Sequence, residues 1–262
     1  MTKRKNENSS ERAAKPQRKS GRARPAIDYT AEKVEEHESD GKSSAKAKAP
    51  GGRRNSESVI IFDERKPIPS KNKDGSLVFE DHPEFTPNLT PKEVLQAGSF
   101  GGTYFRPIKS GVTGESYKDA WKEFPEDWFT GSDIRKEVAS PSYDKGVNKY
   151  GVKCGGSLEM WEEHGWITEA DPYGWFQWYC RFYLGRRSSD DERQIDRALR
   201  CFGPTGRWRI QLMNKIGRST PKKRYDDVSI SPVIRQVLQH WGYRLTEKDY
   251  ETYVRKKGYA VV

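Results

Sequence analysis

The sequence predicts a mainly α protein: an irregular helical domain with a loop-rich N-terminal half and a short β-hairpin, preceded by a disordered basic arm. Three observations lead there. Residues 1–58 hold no Trp or Phe and a single Tyr, Tyr29, whereas all eight Trp fall between Trp121 and Trp241. Beyond residue 90, helix start and stop signals recur at short intervals without alternating strand patterns. Basic charge is gathered into two blocks on a chain that is otherwise net acidic.

The arm comes first. Residues 1–58 are rich in Lys, Arg, Ser, Ala, Gly and Glu, with Pro16, Pro25 and Pro50, and cannot bury enough apolar surface to offset the entropy of ordering. Val59-Ile60-Ile61-Phe62 is a strand-like run, followed by polar residues through Gly75 and then Leu77-Val78-Phe79. The expected organisation is a disordered arm and linker over 1–75 and one aromatic-rich domain over 76–262. A hydrophobic fraction of only 33% argues against a second core.

The helices follow in order. Thr90-Pro91-Lys92-Glu93 joins an N-cap Thr, a Pro at the first helical position and an acid three residues after the cap, with Gly98 as the stop. Residues 99–156, rich in Gly, Pro and Tyr, predict long ordered loops. Ser157 opens a short helix that ends at Gly165. Asp171-Pro172 opens a longer one, closed by Gly185, with Tyr173, Trp175, Phe176, Trp178, Tyr179, Phe182 and Tyr183 on nearly every side, the pattern of a helix buried on most faces. Ser189-Asp190-Asp191-Glu192 reads as a capping box for a helix ended by Gly203-Pro204. Thr205 caps the next, ended by Gly217. Ser231-Pro232 opens a helix to Trp241, and Thr246 starts a last one ending near Gly258.

The charge suggests a partner. Residues 1–25 carry nine Lys and Arg against Glu7 and Glu11; residues 181–224 carry thirteen against Asp190, Asp191, Glu192 and Asp196. Two such blocks concentrate positive potential and attract polyanions. KPQRKSGRAR (15–24) and GGRR (51–54) fit a nuclear-import signal or a nucleic-acid-binding arm. Within 190–217, two helices are joined by the turn Gly203-Pro204-Thr205-Gly206. Ile195, Leu199 and Phe202 form an apolar face on the first, and Trp208, Leu212 and Ile216 form one on the second. Opposite them Arg207, Gln211, Asn214 and Arg218 line a basic, amide-bearing face, the composition a recognition helix needs to reach phosphates and base edges. Arg186, Arg187, Lys222, Lys223 and Arg224 extend the candidate nucleic-acid contacts.

Other chemistries have weaker support. The glycines of 98–102 and 151–157 match neither phosphate-loop nor dinucleotide spacing. Cys154 precedes a helix start, and His82, His164 or His240 is available as a base, but nothing in the sequence brings them together. Asp190-Asp191-Glu192 and Asp226-Asp227 offer carboxylates for a divalent metal, although the first group already has a role at a helix N-terminus. Cys154, Cys180 and Cys201 are an odd number without a C-x-x-C pair, so neither a disulfide framework nor a zinc knuckle is indicated. They read as reduced, packed thiols.

No run approaches the roughly 18 apolar residues of a membrane helix, and MTKRKNENSS lacks the apolar block of a secretory signal. The expected compartment is the nucleus, with the cytoplasm as the alternative.

GSFGGTYFRPIKSGVTG (98–114), NKYGVKCGGSLEMWEEHGW (148–166), DPYGWFQWYCRFYLGRRSSDDERQI (171–195) and SISPVIRQVLQHWGYRLT (229–246) resemble a family of uncharacterised hypothetical proteins of eukaryotes and large DNA viruses, over roughly residues 81–250. The resemblance implies one structural unit over that span and brings no activity, cofactor or catalytic residue with it.

The expectation is therefore a non-catalytic nucleic-acid-binding protein, DNA favoured over RNA, with no cofactor, no metal and no membrane contact. The alternatives are an enzyme acting on a phosphorylated or nucleic-acid substrate and a protein-interaction scaffold.

Overall fold

The computed structural model describes residues 58–258; the disorder expected for the first 57 residues lies outside that range. Helix dominates the described residues. Seven α-helices are joined by 3-10 turns and six two-residue strands: β1 (Ile61–Phe62), β2 (Ser70–Lys71), β3 (Leu77–Val78), α1 (Pro91–Gln96), β4 (Ile108–Lys109), β5 (Ser116–Tyr117), α2 (Leu158–Glu163), α3 (Trp175–Tyr183), β6 (Arg187–Ser188), α4 (Asp191–Phe202), α5 (Arg207–Gly217), α6 (Pro232–His240) and α7 (Glu247–Lys257). The strands pair antiparallel as β1 with β6, β2 with β3 and β4 with β5.

Structure begins earlier in the chain than composition suggests. Residues assigned to the linker supply β1 and β2, and the Ile60 amide donates to Ser189 Oγ 2.9 Å away, across 129 residues of sequence. A pairing partner that distant leaves no local signature.

The capping signals place four helix starts. Thr90 Oγ1 accepts from the Glu93 amide (3.1 Å) while Glu93 Oε2 accepts from the Thr90 amide (2.7 Å), satisfying two orphan N–H groups at α1. Ser157 and Thr246 cap α2 and α7 through the Met160 and Asp249 amides. Pro232 occupies the first turn of α6.

Three starts differ. Asp171 does not cap α3, because its carboxylate is held by Arg186 and Arg181; Gly174 stands at the cap instead. Ser189 holds β1, so α4 begins after Asp190, which binds Arg193 and Gln194. Gly206 rather than Thr205 precedes α5.

The core gathers around α3, whose Phe176, Trp178, Tyr179, Cys180 and Phe182 are all fully buried. Phe85, from the loop before α1, meets Tyr179 and Phe182 edge to face at ring separations of 6.0 and 5.7 Å, an arrangement that aligns ring quadrupoles as well as burying area. Helices α4, α5 and α6 pack in sequence against this centre, with Ile195, Phe202, Leu212, Ile216, Val237 and Leu238 inward. α7 then lies across α5.

Candidate functional site

The basic residues singled out from the sequence fall into three structural situations. Arg186 and Arg187 are interior. Arg186 binds both carboxylate oxygens of Asp171 at 2.8 and 2.6 Å; Arg187 binds Asp81 at 2.7 and 3.1 Å and lies 3.8 Å over the Phe182 ring. With exposures of 6% and 5%, they are structural cations that hold β6 to the core, and they present nothing to a polyanion. This corrects their placement among the candidate contacts.

The polar face of α5 is divided. Arg207 and Arg218 are exposed, but Gln211 and Asn214 are half-buried, and Asn214 Oδ1 accepts from the Tyr253 hydroxyl of α7 at 2.8 Å. Arg209, beside them, is tied to Asp249 of α7 at 2.6 Å. Of the amides expected to read base edges, Asn214 therefore lies at a helix–helix contact. Lys222 Nζ closes the C-terminal end of α5 on the Gly217 carbonyl (2.6 Å). Lys223 and Arg224 pair with Asp227 and Asp226, each at 3.1 Å.

The acidic groups are also engaged. Asp191 accepts from Trp178 Nε1 (2.8 Å) and from the Ser188 amide and hydroxyl (2.8 and 2.7 Å). Among the described residues no cluster of three or more His, Cys, Asp or Glu could hold a metal ion.

What the fold does assemble is a pocket. The turn at 100–106, Tyr143, the loop 154–156, α2, the start of α3, Arg197 of α4 and the end of α6 converge on a cavity of about 90 Å³, room for roughly six to nine water-sized groups. Trp161, Trp166, Trp175 and Trp241 line it together with Phe100 and Phe176; its charged side chains are Arg106 and Arg197, and no Asp or Glu lines it. Arg197 is buried, donates to Gln194 Oε1 (3.0 Å) and lies over the Trp166 and Trp241 rings at 5.2 and 5.6 Å. Those indole faces already carry a cation, so the cage is unsuited to a quaternary ammonium ligand.

The walls are pre-organised by hydrogen bonds. Tyr104 Oη donates to the Tyr173 carbonyl (2.7 Å) and accepts from the Gln177 amide (2.9 Å). Tyr173 Oη donates to the Arg106 carbonyl (2.8 Å), and Trp175 Nε1 to the His240 carbonyl (3.2 Å). Desolvation pushes the Tyr104 phenol well above its ordinary range and that of Tyr173 up to about 12, so both remain donors. Tyr143 accepts from Asn148 Nδ2 (2.6 Å) and from the Cys154 amide (3.2 Å), pinning the 154–156 loop.

An indole donor is left over. Trp161 Nε1 is buried and has no hydrogen-bond partner. A Cβ at Gly156 would stand 3.1 Å from it and 2.1 Å from Met160 Cε, so the methionine terminus fills the space beside the indole N–H that the glycine leaves. An unmatched buried donor beside a cavity is a costly feature that a ligand acceptor would relieve.

The pocket also brings together Cys154 and His240, which the sequence separated by 86 residues; Sγ and Nδ1 are 3.4 Å apart. Their chemistry is decided by the other ring nitrogen. His240 Nε2 receives the Phe100 amide (2.9 Å) and faces Gln236 Nε2 (3.0 Å). The Gln236 amide is oriented by the Tyr150 amide on its oxygen. Nε2 is thus an acceptor, and the imidazole proton sits on Nδ1, pointing at sulfur. Burial lowers the His240 pKa to about 3. A ring already protonated at Nδ1 cannot take the Cys154 proton there, so the pair lacks the general base of a thiol–imidazole nucleophile.

A second, more open hollow of about 290 Å³ lies between Tyr117 and Arg181, but its Arg181 and Glu123 satisfy one another at 2.6 Å. The aromatic pocket was missed in the sequence because its rings sit on segments that read as core helix or as turn. The available signal was the pair Trp161 and Trp166, one within and one just beyond a six-residue helix next to Gly155-Gly156. Such a helix is too short to bury two indoles by itself.

No family model, curated protein or solved structure matches this chain.

Proposed function

We propose that this protein binds single-stranded nucleic acid and takes one unstacked base into the aromatic pocket, without catalysis. The observation that carries this reading is the pocket's composition: four indoles and several phenyl rings for stacking, two arginines, an unmatched N–H donor and no carboxylate. Base–aromatic stacking contributes about 1–3 kcal/mol per base, and the absence of acidic groups suits a ligand attached to a phosphate chain. The basic N-terminal residues and the exposed Arg207 and Arg218 supply the sequence-independent attraction. Base contact moves from α5 to the pocket because Gln211 and Asn214 are half-buried and Asn214 is held by Tyr253 of α7.

The test is a titration of the full chain with short DNA and RNA oligonucleotides, single-stranded and duplex, at about 50 and 200 mM salt, read by tryptophan fluorescence. Single strands should bind more tightly than duplex, quench the emission and weaken with salt. Trp166→Ala should lower single-strand affinity by about 5- to 150-fold while leaving duplex binding in place. Equal affinity for both forms without quenching would overturn the reading.

A further inference from the structure

We propose that Met160 is a site of reversible oxidation, whose sulfoxide oxygen is held by the indole N–H of Trp161. This goes beyond base capture and holds whether or not a base enters the pocket.

The chain has three methionines, Met1, Met160 and Met213. Met213 is packed on the inner side of α5 at 2% exposure, whereas Met160, on the six-residue α2, is half-buried. A thioether has no proton to lose, so its reaction with a peroxide is decided by access rather than by a neighbouring base.

With hydrogen peroxide the step is a two-electron oxygen transfer. A sulfur lone pair takes one peroxide oxygen, the O–O bond breaks, and the other oxygen leaves with both protons as water. Sulfur is oxidised, the peroxide is reduced, and the side chain gains a polar S–O group.

Such a group ordinarily disrupts packing, because a strong acceptor is placed where only apolar contacts were made. At Met160 the surroundings supply the missing donor. Trp161 Nε1 is buried without a hydrogen-bond partner, and the thioether is close beside it: the point where a Cβ of Gly156 would stand lies 3.1 Å from Met160 Sδ and 3.1 Å from Trp161 Nε1. Gly156, with no side chain, lets the two approach. The sulfoxide oxygen projects one bond beyond sulfur, and the unbranched side chain can turn it toward the indole. In the reduced protein the thioether is a weak acceptor that leaves the N–H unmatched. Oxidation exchanges that unmatched donor for a hydrogen bond. Because Trp161 lines the aromatic pocket, the bond that forms fixes one of the pocket's walls.

The experiment treats the full chain with hydrogen peroxide, maps the added oxygen by peptide mass, and compares thermal melts before and after treatment for the native sequence, Trp161→Phe and Met160→Leu. Oxygen should add at Met160 while Met213 stays reduced, and methionine sulfoxide reductases should remove it. Met160→Leu reports the effect of oxidation elsewhere in the chain. Oxidation should shift the melting temperature about 2–4 °C more favourably in the native sequence than in Trp161→Phe, as one hydrogen bond would in a chain of this size. In a nitrogen-labelled sample, one of the eight tryptophan indole N–H signals should move downfield on oxidation and exchange more slowly with water, a readout that decides the matter if Trp161→Phe does not fold. Met160 staying reduced where free methionine in the same solution is oxidised overturns the site. Equal melting shifts in the native sequence and folded Trp161→Phe, or indole signals that do not move, overturn the bond to Trp161.

Discussion

Arg186 and Asp171 form a bidentate ion pair, 2.8 and 2.6 Å, at 6% and 1% exposure, and Asp171 is shared with Arg181 at 3.0 Å. Removing one member of such a pair strands charge in the interior. Asp171→Ala, which strands Arg186 beside the core, is expected to cost about 3–5 kcal/mol in urea unfolding. Arg186→Met should cost less, since Asp171 retains Arg181. Equal losses would show that Arg181 does not share the carboxylate.

That pair also marks where sequence reading succeeds and where it stops. Helix starts were legible wherever the cap acts within four residues, as at Thr90, Ser157 and Thr246. They were misplaced where a distant partner claims the capping side chain: Asp171 is taken by Arg186, and Ser189 by the Ile60 amide. Arg186 and Arg187 belonged to a basic block when counted along the chain, yet their carboxylate partners, Asp171 and Asp81, lie outside that block. The apolar faces of α4 and α5 were legible from periodicity, whereas the cover that α7 gives to α5 was not, because Tyr253 and Asp249 contact it through single polar bonds. The pocket was invisible for a related reason: spacing along one helix reports which residues share a face, not which segments converge.

Glycine at 102 is a matter of clearance. Its φ is +76°, and a Cβ would fall 1.9 Å from the Lys136 carbonyl oxygen, a backbone atom held in place by its own turn. Gly75 has a similar φ of +82° with nothing within 4 Å. Gly75→Ala should therefore cost only the left-handed strain, about 1–2 kcal/mol, and Gly102→Ala distinctly more. Comparable unfolding midpoints for the two variants would contradict the close approach at 102.

The buried His240 ring sets a pH dependence. Its pKa falls from an ordinary 6.5 to about 3 through desolvation, so below pH 6.5 the unfolded chain binds a proton that the native state does not. The stability contributed by the neutral ring is complete above 6.5 and is lost as pH falls toward 3, at about 1.4 kcal/mol per pH unit. Between pH 6.5 and 4.5 the native chain should lose about 2–3 kcal/mol more than His240→Gln, measured as the change in unfolding free energy of each protein rather than its absolute value. Parallel losses would mean that the imidazole is protonated in the native state.

The divided face of α5 separates a binding role from a structural one. Arg207 and Arg218 are exposed, with the Arg207 guanidinium 4.6 Å from the centre of the Trp208 ring, so replacing both with Ala should lower stability by no more than about 1 kcal/mol while reducing nucleic-acid affinity and making its logarithmic salt dependence shallower by up to about two contacts. Asn214→Ala acts in the opposite sense. It removes the acceptor of the Tyr253 hydroxyl at the α5–α7 contact, at a cost of about 1 kcal/mol in stability, and should leave the salt slope where it was. If the arginine pair destabilises the fold and Asn214→Ala weakens binding, α5 reads nucleic acid with its amide face and α7 must move aside to let it.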